Sequence, residues 1–197
     1  MNNLKNNIVR VPRQLARQNT ACVREPSSGK LFSFFPILSV TDGDTKRTYT
    51  YHADGQLASA TVGTSSSRPG RDALVASDTE TFIWDGLALI QRGDEQFVNE
   101  PHVGGGNPIA SSKGTSYFND MLGTTVGSKS NGKYSAAALT AFGEDLTFHS
   151  PTPTQNSNFF TGKPYVECLG HAFLMRNYRA GLAKWQTADP IDRKSVV

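Results

Sequence analysis

The residues able to do chemistry are few and scattered. Cys168-Leu169-Gly170-His171 offers a thiol and an imidazole as two zinc ligands, but structural zinc takes four and the chain has no second pair. The histidines His52, His102, His149 and His171 have no metal spacing, and none adjoins a serine or cysteine in a nucleophile motif. They read as structural or surface groups. Gly104-Gly105-Gly106-Asn107 has the glycines of a phosphate cradle, but not the Gly-Lys-Ser/Thr continuation or a helix dipole, and a hairpin turn explains it. Tyr49, Tyr51, Trp84 and Trp185 would stack on sugar rings from an exposed sheet; the same residues also fill a sheet's packed face, the reading preferred for them. The two cysteines, Cys22 and Cys168, lie far apart with no pairing signal, so two free and mostly buried thiols are expected. No cofactor and no metal are implied.

The elements that must position these residues are hairpins. Turn signals recur at Asp54-Gly55, Asp85-Gly86, the run Gly104-Gly105-Gly106-Asn107 and Asn131-Gly132, each between aromatic or β-branched residues that alternate. Thr48-Tyr49-Thr50-Tyr51 puts both tyrosines on one strand face, and Leu57 to Val62 returns after the turn. Thr81-Phe82-Ile83-Trp84 and Leu87 to Gln91 form the clearest hairpin, with Phe82 and Trp84 sharing a face. A third unit runs from Gln96 to Ala110 and a fourth from Ser116 to Val126, which leads across Asn131-Gly132 to Tyr134. Gly63 to Asp78, with its Ser-Ser-Ser-Arg-Pro-Gly run, reads as a loop. Ala136 to Leu139 is better taken as strand than as a helical turn.

Composition agrees with an all-β chain. In 197 residues there are 18 Gly and 10 Pro with 37% hydrophobic residues, a mix that suits many turns and disfavours long helices. The net charge of +3 is small and dispersed, so neither nucleic acid nor a membrane surface is indicated. Arg10, Arg13 and Arg17 form the one local excess, read as a solvated arm. No apolar stretch is long enough to span a bilayer, and the first residues lack the apolar core of a signal peptide. Residues 1–40 are expected to be irregular ahead of the fold. Within them Leu31 to Val40, with Phe32, Phe34, Phe35 and Pro36, reads as a buried strand pair. The hairpin region follows over 41–146, a Pro/Ser/Thr/Asn-rich linker over 147–158, a C-terminal segment over 159–191 that alternates around Phe173, Tyr178 and Trp185, and a cut-off tail over 192–197. The tail follows Trp185 without a turn or cap, so the chain reads as a fragment.

At Tyr49-x-Tyr51-x-Ala53-Asp54-Gly55-x-Leu57 the chain resembles one YD repeat of the RHS (rearrangement hot spot) proteins, with His52 where the repeat usually has Asp. Further pieces follow in order: Tyr117-Phe118-Asn119-Asp120-x-Leu122-Gly123-Thr124-Thr125-Val126, Phe142-Gly143-Glu144, Phe160-Thr161-Gly162-Lys163, and Arg176-Asn177-Tyr178 leading to Trp185 and Asp189-Pro190-Ile191. Together they resemble the RHS repeat-associated core domain over Tyr49 to Ile191.

The resemblance implies a strand spiral that forms part of a β-shell near the C-terminus of a large secreted or cell-surface polymorphic toxin. A C-terminal plug closes one end of such a shell. The implied partners are the rest of the shell, a C-terminal toxin domain and an immunity protein for that toxin. Many relatives of this kind also cut their own chain beyond the Asp-Pro motif by an aspartyl-protease-like reaction, in which one protonated and one ionised carboxyl act on a water molecule. Asp189 matches one of those acids. The other position is Arg179 here, and Asp192-Arg193-Lys194 replaces the expected Gly-rich continuation, so a structural role without turnover is the expectation. An autoprotease using Asp189 with an acid such as Asp192, and a carbohydrate-binding repeat module, are the alternatives.

Overall fold

A computed structural model describes residues 23–24, 37–42, 44–65, 74–144, 146 and 159–187. The chain is all-β, as its turn spacing predicts. Eleven strands form one antiparallel sheet in strict chain order: β1 (Val23–Arg24), β2 (Ser39–Asp42), β3 (Thr45–Tyr51), β4 (Leu57–Ser65), β5 (Leu74–Asp85), β6 (Ala88–Arg92), β7 (Glu95–Asn99), β8 (Pro108–Ser111), β9 (Thr115–Asn119), β10 (Thr125–Ser130) and β11 (Lys133–Ala136). Each strand therefore pairs with its sequence neighbours, and β1 and β11 are the two edges. A second sheet holds β12 (Phe159–Phe160), β13 (Lys163–Val166), β14 (Gly170–Ala172), β15 (Asn177–Arg179) and β16 (Lys184–Trp185), again in chain order. A single 3-10 turn, Ala180–Leu182, links β15 to β16.

The turn chemistry accounts for the register. At Asn131-Gly132 both residues are left-handed, with φ of 50° and 75°, and Ser130 pairs with Lys133, the two-residue turn that matches strand twist. Asp85 pairs with Ala88, so Gly86 and Leu87 make that turn, with only Gly86 at positive φ. A further two-residue turn at Gly93-Asp94 joins β6 to β7, pairing Arg92 with Glu95. Its flanks are polar, so the alternation that flags the other hairpins is absent there. Register shifts at Thr50/Tyr51, Gly63/Thr64, Ile83/Trp84, Val98/Asn99 and Thr125/Gly127 are bulges that raise the local twist.

Four expectations change. The strand expected over Ala136 to Leu139 stops at Ala136, the end of β11. The stretch Gly63 to Asp78 is strand at both ends: β4 continues to Ser65, β5 begins at Leu74, and Gly63 pairs with Ser77. The β-branched residues at its two ends extend the ladder; its Arg-Pro-Gly run lies outside the described residues. Val23–Arg24 pairs with β2 inside the stretch expected to be irregular. Cys168 is disulfide-bonded, which overturns the expectation of free thiols. Cross-linking across a long loop is decided by how the fold returns the chain, and spacing in sequence carries no signal of it. Cys22, the one other cysteine in the sequence, lies outside the described residues, as do residues 1–22, Phe32, Phe34, Phe35, Pro36, His149, the linker 147–158 and the tail 192–197.

One core joins the two sheets. The ladder contributes Ile37, Val40, Tyr49, Leu57, Ala60, Phe82, Leu89, Phe97 and Tyr117, and the C-terminal sheet contributes Phe159, Val166, Leu169 and Ala172. Period-two alternation explains the ladder's share. On β7, Phe97 is buried between exposed Gln96 and Val98, and on β9 Tyr117 lies between exposed Ser116 and Phe118. The five-stranded sheet covers the face that this alternation makes apolar.

Candidate functional site: the seat of the C-terminal sheet

The sequence motifs converge where the C-terminal sheet meets the turns of the ladder. The β12–β13 hairpin turns at Thr161-Gly162, both left-handed at φ of 48° and 73°, with Phe160 paired to Lys163. A β-branched residue is uncommon in that region of backbone space, and neighbouring backbone holds it there. The Thr161 amide donates to Thr124 Oγ1 at 3.3 Å, the Gly162 amide to the Gly123 carbonyl at 2.8 Å, and the Phe159 amide to Thr125 Oγ1 at 3.2 Å. The hairpin is thus held by the Asp120–Thr124 turn, itself shaped by Asp120 Oδ1, which accepts from the Leu122 and Thr124 amides at 2.9 and 2.8 Å.

Three glycines make the approach possible. A Cβ on Gly162 would overlap the Gly106 carbonyl oxygen, and one on Gly123 would lie 3.2 Å from the Gly162 nitrogen. A Cβ on Gly143 would enter the Phe160 ring. Gly162→Ala is therefore expected to cost about 1–3 kcal/mol by overpacking and left-handed strain. Thermal unfolding beside Gly132→Ala checks it, since Gly132 shares the positive φ but has open space around it. Equal losses in the two variants would remove close packing as the cause.

Lys163 is the unexpected member of this seat. It is 6% exposed, and its Nζ donates to the Leu87 carbonyl at 2.8 Å and to the Gly105 carbonyl. Burial alone pushes its pKa down, to about 8. Beside it a cavity of about 10 Å³, lined by Gln56, Trp84, Leu87 and Phe173 among others, has room for one water molecule. On the adjacent strand His171 is 3% exposed, and its Nδ1 lies 3.2 Å from the Lys163 carbonyl oxygen. Desolvation lowers its pKa to about 4, against the opposing pull of hydrogen bonds to the Lys163 and Gly143 backbone. This imidazole is a core group, with Phe160 and Tyr165 rings against it. With Cys168 in a disulfide, Cys168-Leu169-Gly170-His171 has no thiolate for a metal, and among the described residues no cluster of three metal-ligating side chains forms.

Three of the four aromatic candidates pack inward. Tyr49 is buried, donates from its hydroxyl to the Glu167 carbonyl at 2.9 Å, and is held by burial well above the usual tyrosine range. Tyr51 donates to the Ile37 carbonyl at 2.9 Å and receives Asn177 Nδ2 at 3.4 Å; burial pushes its pKa up to about 12. Trp84 donates from Nε1 to the Leu57 carbonyl at 2.7 Å. These three side chains tie ladder to core, Tyr49 fully buried and Tyr51 and Trp84 partly buried against it. Trp185 is 44% exposed at the edge strand, in edge contact with Phe173 and Tyr178 and with the Arg176 guanidinium 4.3 Å from its ring centroid.

Further cross-links close the seat. The Met175 amide donates to the Gly55 carbonyl at 3.2 Å, which brings the YD-like turn against the C-terminal sheet. Buried Arg92 holds both carboxylate oxygens of Glu80, at 2.7 and 3.0 Å, and reaches the Tyr165 carbonyl at 3.0 Å. Arg47 meets Glu167 at 2.9 Å. Of the motif residues, Tyr49, Tyr51, Gly55, Leu57, Trp84, Asp120, Gly123, Gly143, Gly162, Tyr178 and Trp185 all lie in this assembly. Phe142 is exposed on the turn beside Gly143. Asp189, Pro190 and Asp192 lie outside the described residues, and Arg179 is half-buried on β15 beside Tyr178.

Sequence reading missed Arg92 and Phe159, and it gave Lys163 and Asn177 no role beyond their places in the motif pieces. The one available signal was for Lys163, a lone cation leading into Pro164-Tyr165-Val166. The arrangement is suited to holding two sheets together through backbone carbonyls. Compared with protein-family models and with curated proteins, the sequence matches none.

Proposed function

We propose that this chain is a structural segment of an RHS-type polymorphic toxin, contributing wall strands and a closing plug to a shell that encloses a C-terminal toxin domain. One observation carries the reading: a ladder of hairpins in chain order receives a C-terminal sheet through turns that hold the motif glycines Gly55, Gly123, Gly143 and Gly162. The role needs no cofactor and no turnover. Its partners are the rest of the shell, the enclosed toxin and an immunity protein. The disulfide at Cys168 supports a secreted or cell-surface location, where such bonds persist.

The test is the size and shape of the native protein. Antibodies raised to this chain are expected to detect a polypeptide far larger than 197 residues in envelope or secreted fractions, and single-particle imaging of it to show an enclosed volume. A native product of this length alone, or a particle with no internal space, overturns the reading.

A further inference from the structure

We propose that Asn131 is a site of spontaneous deamidation, and that its conversion to an isoaspartyl linkage loosens the exposed edge of the ladder. The argument rests on what separates Asn131 from the other asparagines of the fold. Asn107 is buried, donates to Glu100 Oε2 at 2.6 Å and precedes Pro108, which has no amide to attack it. Asn119 donates to Asn107 Oδ1 and to the Pro108 carbonyl, Asn99 to the Leu89 carbonyl, and Asn177 is 1% exposed and held on Tyr51. Asn131 is exposed, makes no hydrogen bond through its side chain among the described residues, and precedes a glycine with nothing within 4 Å of its missing Cβ.

The chemistry uses only these two residues and water. The Gly132 amide nitrogen, on losing its proton, attacks the Asn131 side-chain carbonyl carbon, and the side-chain nitrogen leaves as ammonia. The resulting succinimide is then opened by water at either carbonyl, giving an aspartyl or an isoaspartyl linkage at position 131. Lys129 and Lys133, both exposed beside the turn, favour the anionic nitrogen and the negative product. Ring closure requires the turn to open. β11 is an edge strand whose four residues are all exposed, paired on one side over four positions, so opening is local.

The isoaspartyl product lengthens the main chain by one carbon. A two-residue turn with both φ values positive has no place for it, so the pairing of Lys129 with Tyr134 shifts. Tyr134 then leaves its position over Gly127 and its edge contact with Phe118, 5.7 Å between ring centroids.

Peptide mapping of the folded protein after incubation at mildly alkaline pH is the experiment, with isoaspartyl methylation as label and amide exchange across β11 as the structural readout. Residue 131 is expected to gain about one dalton at least about tenfold faster than Asn99, Asn107, Asn119 or Asn177, with β11 protection falling in step. Asn131→Gly keeps a turn-compatible sequence and is expected to hold both mass and protection. No gain at 131, a gain as fast at the other four asparagines, or conversion that leaves β11 protection unchanged overturns the proposal.

Discussion

Phe159→Ala is expected to cost about 3–5 kcal/mol in urea unfolding, while Phe160→Ala costs clearly less. Phe159 is 1% exposed, and its ring makes edge contacts with Phe97 and Tyr117, both at 5.4 Å. Two of the three rings belong to the ladder and one to the C-terminal sheet, so truncating Phe159 opens a cavity at the junction of the sheets. Phe160 points the other way and is half-buried, stacked on Tyr178 at 5.4 Å. A larger loss at 160 than at 159 would reverse the facing of β12. Since a one-residue slip exchanges the two faces of a strand, the pair of variants tests the register of the β12–β13 hairpin directly.

That pair also shows what the sequence conveys and what it does not. The ladder is legible because its information is local: a Gly with an Asn or Asp beside it between alternating residues fixes a turn and the faces next to it. Tyr49 and Phe82 were correctly placed on a packed face for this reason. In Phe159-Phe160 two aromatics occupy both faces, and the motif reading favoured Phe160, although Phe159 makes the deeper contact. The seat is built from contacts between residues far apart in the chain. Lys163 bonds carbonyls at Leu87 and Gly105, and Arg92 reaches Tyr165. A backbone carbonyl leaves no trace in the identity of its residue, so a cation that binds one looks like any surface lysine. The Gly93-Asp94 turn escaped for a related reason: Arg92 is buried beside it through its bond to Glu80, where alternation would require an apolar residue.

Lys163→Met is expected to change the dependence of stability on pH more than stability itself. The folded pKa of about 8 lies below the ordinary 10.5 of the unfolded chain, so between these values the unfolded state binds the extra proton. The contribution is fully present above 10.5 and is lost as pH falls to about 8, a change of about 3 kcal/mol for a shift of this size. No carboxylate compensates the charge. Among the groups on the packed elements, Asp85 is exposed at its turn, Glu100 receives the Asn107 amide, and His171 faces the Lys163 carbonyl. The methionine variant leaves the Leu87 and Gly105 carbonyls without their donor, a cost that does not vary with pH. The stability difference between wild type and variant should therefore shift by about 3 kcal/mol across this window, in favour of wild type as pH rises. Tyr49, Tyr51 and Tyr117, raised by burial, lower the stability of both proteins above pH 10 and cancel in the comparison. His171 acts in a separate window: its contribution is present above the ordinary 6.5 and is lost as pH falls toward 4, in both chains. Urea midpoints measured from neutral to pH 10.5 decide the matter, since parallel curves would mean that Lys163 keeps its proton and its ordinary pKa inside the seat. A curve with the expected slope would mean that the C-terminal sheet is held against a buried charge at neutral pH, and that its docking tightens as that charge is lost.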